Sequence, residues 1–284
     1  MALPIVSVVV PAFNHEQYVE AALQSVYDQD HEAVELIVID DGSQDRTAAL
    51  IETFCSRASV RKRFTRTVVI VNDNNAGAHH AINRGLHESR GDYINILNSD
   101  DLLAPNRLSR LLETCAKNGA EFAFSRVELL ADDWAPSSDE MQSLYRIQDS
   151  IYFFPTVGYA LLRNQCALST GNFFFRRRVL EQVGEFCGLR YCHDWDFVLR
   201  AVLITEPVFV PEPLYVYRLH PGNSFRQLQA LAQRETEVVL RNYFLLCRTR
   251  PVANPLAPSP AWGPFFDSFV EESGYGAYLR PSHA

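Results

Sequence analysis

Two hydrophobic periods alternate through the first half of the chain. Ile5 to Ala12 is a β-branched apolar run, the pattern of a strand covered on both faces. Asn14 is placed to cap a following helix, with Gln17 three residues on as its partner, and Val19, Leu23 and Val26 recur at helical spacing. Val34 to Ile39 repeats the buried-strand pattern and runs into Asp40-Asp41-Gly42-Ser43; a helix with Ala48, Ile51 and Cys55 on one face follows. Thr67 to Val71 reads as a third strand, Ala78 to Leu86 as a helix, and Tyr93 to Leu97 as a fourth strand ending in Asn98-Ser99-Asp100-Asp101. Pro105 suits the first turn of the next helix, which carries Leu108, Leu111 and Cys115.

Strands alternating with helices on short connections predict an α/β fold with a doubly wound, mostly parallel sheet. In such sheets ligands sit beyond the carboxyl ends of the strands, where the polar clusters after strands one, two and four all fall.

The second half is less regular. Glu121 to Leu130 predicts a strand. Ala131 to Gln148 mixes Pro, Ser and Asp like an inserted loop, a candidate lid. Thr170 to Phe175 resumes a strand and Asp194 to Leu203 reads as a helix. Val208 to Tyr217 is strand-like but proline-interrupted, so an edge strand or an irregular ribbon is expected, and Phe225 to Cys247 reads as a long helix. The expected division is a first half at 1–118, a second half at 119–222, and a C-terminal helix with an aromatic, proline-rich tail at 223–284. That tail carries Trp262, Phe265, Phe266, Phe269, Tyr275 and Tyr278. It is expected to pack on the domain; pairing of two copies and contact with a membrane surface are the other readings.

Charge narrows the function. The formal net charge is −8, which excludes a phosphate backbone as a natural partner. It also means that a phosphate-bearing ligand needs a divalent cation or local Arg and Lys groups to offset the acidity. The six cysteines form no C-x-x-C pair, and the Cys187, Cys192, His193 spacing does not fit a zinc knuckle, so reduced thiols are expected. No apolar run approaches the ~18 residues of a membrane span, and Met1 to Pro11 has no basic region or cleavage site. A cytoplasmic protein, at most peripheral to the inner face of a membrane, is expected.

Four clusters carry candidate chemistry. Asp41 at the end of strand two suits a hydrogen bond to a base or ribose, although Asp-Gly-Ser is also a good helix-capping turn. Asp100 and Asp101 are adjacent carboxylates that repel unless a cation sits with them, and hard oxygen ligands suit Mg²⁺ or Mn²⁺. His193-Asp194-Trp195-Asp196 opens a helix: Asp194 is a candidate general base and Trp195 a flat face for a sugar, against a plain acidic first turn with Trp195 in the core. His220 lies beyond the last strand, a ligand candidate or a structural histidine. Arg176, Arg177 and Arg178 are read as solvated surface, with an anionic partner as the alternative.

These clusters, in this order, resemble the family 2 glycosyltransferases, inverting enzymes with the GT-A fold. The likeness runs from Val6-Ser7-Val8-Val9-Val10-Pro11-Ala12-Phe13-Asn14 through Val38-Ile39-Asp40-Asp41-Gly42-Ser43, Asn75-Ala76-Gly77 and Gly91-Asp92-Tyr93-Ile94 to Asp100-Asp101, Gly171-Asn172 and His193-Asp194-Trp195-Asp196. It covers about Pro4 to Pro221, and implies that 1–118 is the nucleotide-binding half and 119–222 the acceptor-binding half. The resemblance implies transfer of a sugar from a nucleoside-diphosphate donor, a UDP-sugar by default, to a saccharide or glycolipid hydroxyl in surface polysaccharide or glycolipid synthesis. It implies that Pro11, Ala12, Phe13, Asn14, Asp41, Asn75, Gly77 and Asp100 border the donor, that Asp101 and His220 attend Mn²⁺ or Mg²⁺, and that Asp194 is the base. Gly171, Asn172 and Trp195 would lie on the acceptor side. Two residues depart from the family pattern: Asn98 stands where Asp is common, and His193 where Glu is common. A metal-dependent nucleotidyltransferase and a silent nucleotide-sugar binder are the competing readings; no glycine- and basic-rich phosphate loop follows strand one, and no G-x-G-x-x-G either.

Overall fold

The structure, a computed structural model, describes residues 3–131, 137–223 and 228–279. Eight strands form one sheet: β1 (Val6–Ala12), β2 (Val34–Asp40), β3 (Arg66–Val71), β4 (Tyr93–Ile96), β5 (Leu102–Leu103), β6 (Phe122–Ala131), β7 (Phe174–Arg176) and β8 (Val208–Leu219), in the order β3-β2-β1-β4-β7-β6-β8-β5. The β3-β2-β1-β4 block is parallel throughout, whereas β7 runs antiparallel to both β4 and β6. β6 and β8 are parallel, with register shifts around Arg126. This is the mostly parallel, doubly wound α/β sheet expected from the alternating pattern.

The strand period of two explains the layering. Val8, Val10, Leu36 and Val38 face a cluster with Val19, Leu23 and Val26 of helix α1 (Val19–Tyr27), and with helices α2 (Thr47–Ser56) and α5 (Arg107–Asn118). Helix α3 (Ala58–Arg63) packs beside α2 through Val60. Val9, Ile37 and Ile39 face the opposite cluster, with Ala81 and Ile82 of α4 (Ala78–Glu88). Fully covered on both sides, these strands need no polar alternation.

One buried carboxylate ties the strand starts together. Glu35 accepts from Ser7 Oγ at 2.5 Å, Arg66 Nη1 at 2.6 Å and Arg90 N at 2.9 Å. Burial opposes its charge, but these three donors outweigh that and hold its pKa below the ordinary value. Gly91 N donates to Ser7 Oγ, and a Cβ at residue 91 would lie 2.7 Å from the Ile5 carbonyl oxygen.

Several local expectations change. Asn14 caps no helix: it takes a positive φ of 53°, its side-chain oxygen accepts from Gln44 N, and α1 starts only at Val19. Part of the expected 131–148 loop is helix α6 (Ser138–Asp149), whose first turn is capped by Ser137 accepting from Glu140 N; residues 132–136 of that stretch lie outside the described residues. The expected strand over Thr170–Phe175 is a 3₁₀ turn, Thr170–Asn172, followed by the three-residue β7. Arg177 is not simply solvated, since it donates to the Gly91 carbonyl and Ser89 Oγ, while Arg176 and Arg178 pair with Glu121.

Helix α7 (Val157–Arg163), α8 (Arg177–Val183) and α9 (His193–Val202) complete the second half, followed by α10 (Gln229–Thr249) and α11 (Pro264–Glu272). The start expected at Phe225 lies outside the described residues. The aromatic tail packs inward. Phe269 meets Tyr159 at 5.0 Å between ring centroids, and Phe244, Phe266 and Tyr275 join the cluster that contains Val9 and Ile37. No helix among the described residues is long and apolar enough to cross a membrane. A surface hollow of about 450 Å³ beside β3, lined in part by Glu52, Arg61 and Thr67, holds none of the candidate residues.

Candidate active site

Parallel strands deliver their polar ends to one rim. Asp41 N donates to the Ala12 carbonyl, so the ends of β1 and β2 are joined there. Pro11, Ala12, Phe13 and Asn14 form the first lip, with Phe13 exposed. Asp41 is buried and fully engaged within the chain: it accepts from Asn72 Nδ2 at 2.8 Å, Ala76 N at 3.0 Å and Gly77 N at 2.8 Å. Its carboxylate therefore folds the Asn75-Ala76-Gly77 loop over the rim, and Gly77, at φ 101°, sits where a side chain would be strained. Asn75 is left exposed on that loop.

The turn at residues 98–101 separates two adjacent carboxylates. Asp100 turns into the rim, where His220 Nε2 is 3.0 Å and His15 Nε2 3.7 Å from Oδ2. Burial works against its charge, but the His15 and His220 side chains hold its carboxyl below the usual range. Asp101 turns the other way, with no exposed surface, and accepts from Tyr215 Oη at 2.5 Å, Arg218 N at 2.8 Å and Asn98 Nδ2 at 3.3 Å. Asp101, expected to attend the metal, thus accepts from three protein donors, and it is Asp100 that is grouped with two histidines. His15, Asp100 and His220 are the one group among the described residues whose ligand atoms lie within 4.8 Å of one another. Burial raises the Cys187 and Cys192 thiols to about 11 and about 12, and both stay free.

His15 escaped the sequence reading. It follows Asn14 directly at the end of β1, so the strand-end rule that singled out its neighbours applied equally to it. Its Nδ1 bonds Ser99 Oγ at 2.8 Å, leaving Nε2 toward Asp100. Tyr18 packs against His220 at 4.7 Å between ring centroids and backs the pair.

The acceptor side is built from α9 and the 169–172 turn. Glu235, from α10, accepts from Arg190 N, Tyr191 N and Cys192 N at 2.7–3.1 Å and so fixes the entry to α9. Burial raises its pKa, but the three backbone donors outweigh this and lower it. Asp194 stands half-buried in the first turn, accepting from Gln165 Nε2 at 3.0 Å and Trp195 N at 2.7 Å. His193 Nε2 reaches Thr170 Oγ1 at 3.2 Å, and burial lowers its pKa despite Asp194.

Two expected acceptor contacts are internal. Asn172 is fully buried and donates to the Ser125 and Ala167 carbonyls, because the turn needs its backbone partners satisfied away from water. The Trp195 indole N–H donates to the Leu161 carbonyl at 2.7 Å, and its ring packs against the core. Gly171 lies under Tyr215 and next to Asn98.

Hydrogen bonds through the 169–172 turn join the two sides. Ser169 Oγ accepts from Asn98 Nδ2 at 2.9 Å, and Thr170 Oγ1 lies 3.2 Å from Nε2 of His193, the residue before Asp194. The buried Tyr217 phenol is pushed upward by burial first and then by the negative charges of Asp101, Asp100 and Asp194. His79, lowered by burial, senses both His193 and Asp41. The Asn98–Asp101 turn of the donor side and the start of α9 are thus linked through residues 169 and 170.

The profile described as Glycosyl transferase family 2 matches residues 7–184. The putative teichuronic acid biosynthesis glycosyltransferase TuaG of Bacillus subtilis (strain 168) is 33% identical over 133 residues, 47% of this chain and 50% of its own length. The chain thus spans about half the length of that relative. S. aureus TarS 1–349 in complex with UDP-GlcNAc superposes with a TM-score of 0.70 at 18% identity, over 95% of this chain and 71% of that one. The mannosyltransferase PcManGT from Pyrobaculum calidifontis, in complex with GDP-Man and Mn²⁺, gives 0.65 at 17% identity, over 98% and 76%. At such identities the structures speak for the fold; the profile covers more than half of the sequence, and the chain belongs to glycosyl transferase family 2.

Proposed function

We propose that this chain is an inverting glycosyltransferase, moving a sugar from a nucleoside-diphosphate donor to a hydroxyl of a saccharide or glycolipid acceptor. The observation that carries the reading is the hydrogen-bonded link from the Asn98–Asp101 turn, through Ser169 and Thr170, to the start of α9 that carries Asp194, at the carboxyl edge of the sheet. TuaG's description as a teichuronic acid biosynthesis enzyme supports a polysaccharide product, and the UDP-GlcNAc and GDP-Man complexes of the structural relatives support a nucleotide-sugar donor. A UDP-sugar is the default donor, and a cytoplasmic place of work, peripheral to the membrane, suits a glycolipid acceptor.

The donor set fits a divalent ion. Asp100 supplies a buried oxygen and His15 and His220 supply imidazole nitrogens within 4.8 Å, a mixture that suits Mn²⁺ better than Mg²⁺. A cation held there would offset negative charge on the diphosphate leaving group.

The chain's own groups do the remainder. Pro11 to Asn14 and the Asn75–Gly77 loop, folded over by Asp41, border the nucleotide. Asp194 accepts the acceptor's hydroxyl proton as the oxygen attacks the anomeric carbon and the bond to the diphosphate breaks. Gln165 and the Trp195 amide hold that carboxylate in place, each using one lone pair and leaving others for the proton. Gln148, in the last turn of helix α6, accepts from Val127 N at 3.2 Å and holds that helix to β6.

A thermal-shift panel of UDP-, GDP- and TDP-sugars, with and without Mn²⁺, tests the reading on wild type and Asp100→Ala. Stabilisation by at least one donor, dependent on Mn²⁺ and absent in the variant, is expected. No donor response in the wild type sinks the proposal.

A further inference from the structure

We propose that Asn98, a departure from the family's common aspartate, is a positioning residue that closes a ring of four side chains, and that an aspartate would open this ring. The ring runs Asn98–Ser169–Tyr215–Asp101. Asn98 Nδ2 donates to Ser169 Oγ at 2.9 Å and to Asp101 Oδ2 at 3.3 Å. Ser169 Oγ and Tyr215 Oη are 3.2 Å apart, and Tyr215 Oη donates to Asp101 Oδ2 at 2.5 Å.

Counting donors and acceptors fixes the direction of every bond. Ser169 Oγ already accepts from Asn98 and from Gly171 N at 3.1 Å, so both its lone pairs are filled and its own hydrogen goes to Tyr215. The Tyr215 hydrogen then goes to Asp101, whose other oxygen accepts from Arg218 N. Both amide hydrogens of Asn98 are used. A carboxylate at residue 98 supplies neither, and faces the Asp101 oxygen and a serine oxygen with no hydrogen to spare. Buried acceptors set against each other are costly to a fold.

Gly171 is part of the same device. A Cβ there would lie 1.9 Å from Tyr215 Oη, so only glycine lets the phenol enter the ring. What the ring fixes is the turn at 98–101, and with it the opposite aim of Asp100 toward His15 and His220. Asn98 thus acts on the donor site through Asp101 and the turn, without touching the donor.

The inference rests on the proposed function only for its binding readout. Asn98→Asp, which restores the common family residue, is expected to bind UDP in the presence of Mn²⁺ about tenfold more weakly by calorimetry and to melt lower without ligand. Asp101→Asn alone sets two amide groups against each other and should be similarly impaired. The double variant Asn98→Asp/Asp101→Asn exchanges donor and acceptor. The amide now at position 101 donates to the carboxylate now at position 98, the Tyr215 hydrogen turns to Ser169, and the Ser169 hydrogen goes to that same carboxylate. The double variant's Mn²⁺-dependent affinity and melting midpoint should recover most of each single loss, an outcome a metal-ligating Asp101 would forbid.

Wild-type behaviour of Asn98→Asp, or a double variant no better than the singles, overturns the inference. Should Asn98→Asp fail to fold, a folded double variant supports the ring and an unfolded one refutes it. If wild type binds neither UDP nor GDP with Mn²⁺, the proposed function fails, while the ligand-free melting midpoints still decide the ring.

Discussion

The donor-side and acceptor-side walls of the cleft are held by different means. On the donor side, β1, β2 and β4 run parallel and buried, and each delivers its polar residues to the rim by the geometry of the sheet. On the acceptor side the supports come from afar in sequence. Glu235 of α10 caps the approach to α9, and Arg107 of α5 reaches the Asn172 carbonyl at 2.8 Å. Repeating secondary structure brings the first wall to the rim, where Asp41 and the Asn98 ring hold its turns; the second wall rests chiefly on single buried polar side chains. The second wall should therefore be the more fragile to point substitution.

Asp194→Asn offers the largest expected effect. Removing the proton acceptor should lower kcat by about 10²- to 10⁴-fold while leaving nucleotide binding in place, because the donor wall does not depend on that carboxylate. Steady-state transfer assays beside calorimetry would show it; parallel loss of both would mean that the walls are not separable.

Arg107→Met comes next. The guanidinium is fully buried, pushed down to about 9 by burial, and donates to Asn95 Oδ1, Ser125 Oγ and the Asn172 carbonyl with no carboxylate among those partners. Methionine fills the space but orphans three acceptors, at a cost of about 3 kcal/mol in urea unfolding. A loss below ~1 kcal/mol would break the claim that the acceptor wall hangs on single polar residues.

Glu35→Gln probes the regular half and should be mildest. Its folded pKa lies below the unfolded value near 4.5, so its contribution is present above that pH and fades as pH falls through the lower folded pKa. Gln should cost about 1–2 kcal/mol at neutral pH and flatten the stability profile below ~pH 4.5. An unchanged acid limb would show that the strand starts do not depend on the charge.

Much of this was readable beforehand, for a local reason. The runs Val6–Ala12 and Val34–Asp40 are apolar on both faces, which only a sheet covered on two sides satisfies, and that placed Asp41 and Asp100 at a common edge. Where local signals had two meanings, the sequence misled. Asn14 has the composition of a helix cap, yet its side chain serves Gln44, thirty residues away. Trp195 and Asn172 have chemistry suited to a sugar, and both spend it on backbone partners.

The order of strands and helices, the edge at which ligands gather, and the residue types available there were thus written in the chain, because hydrophobic period and strand direction are local properties. Which of two neighbouring carboxylates faces the cleft was left to long-range packing. Asp100 and Asp101 differ by one position, and only the arrival of Tyr215 and Arg218 from β8 gives one of them buried donors and leaves the other to His15 and His220.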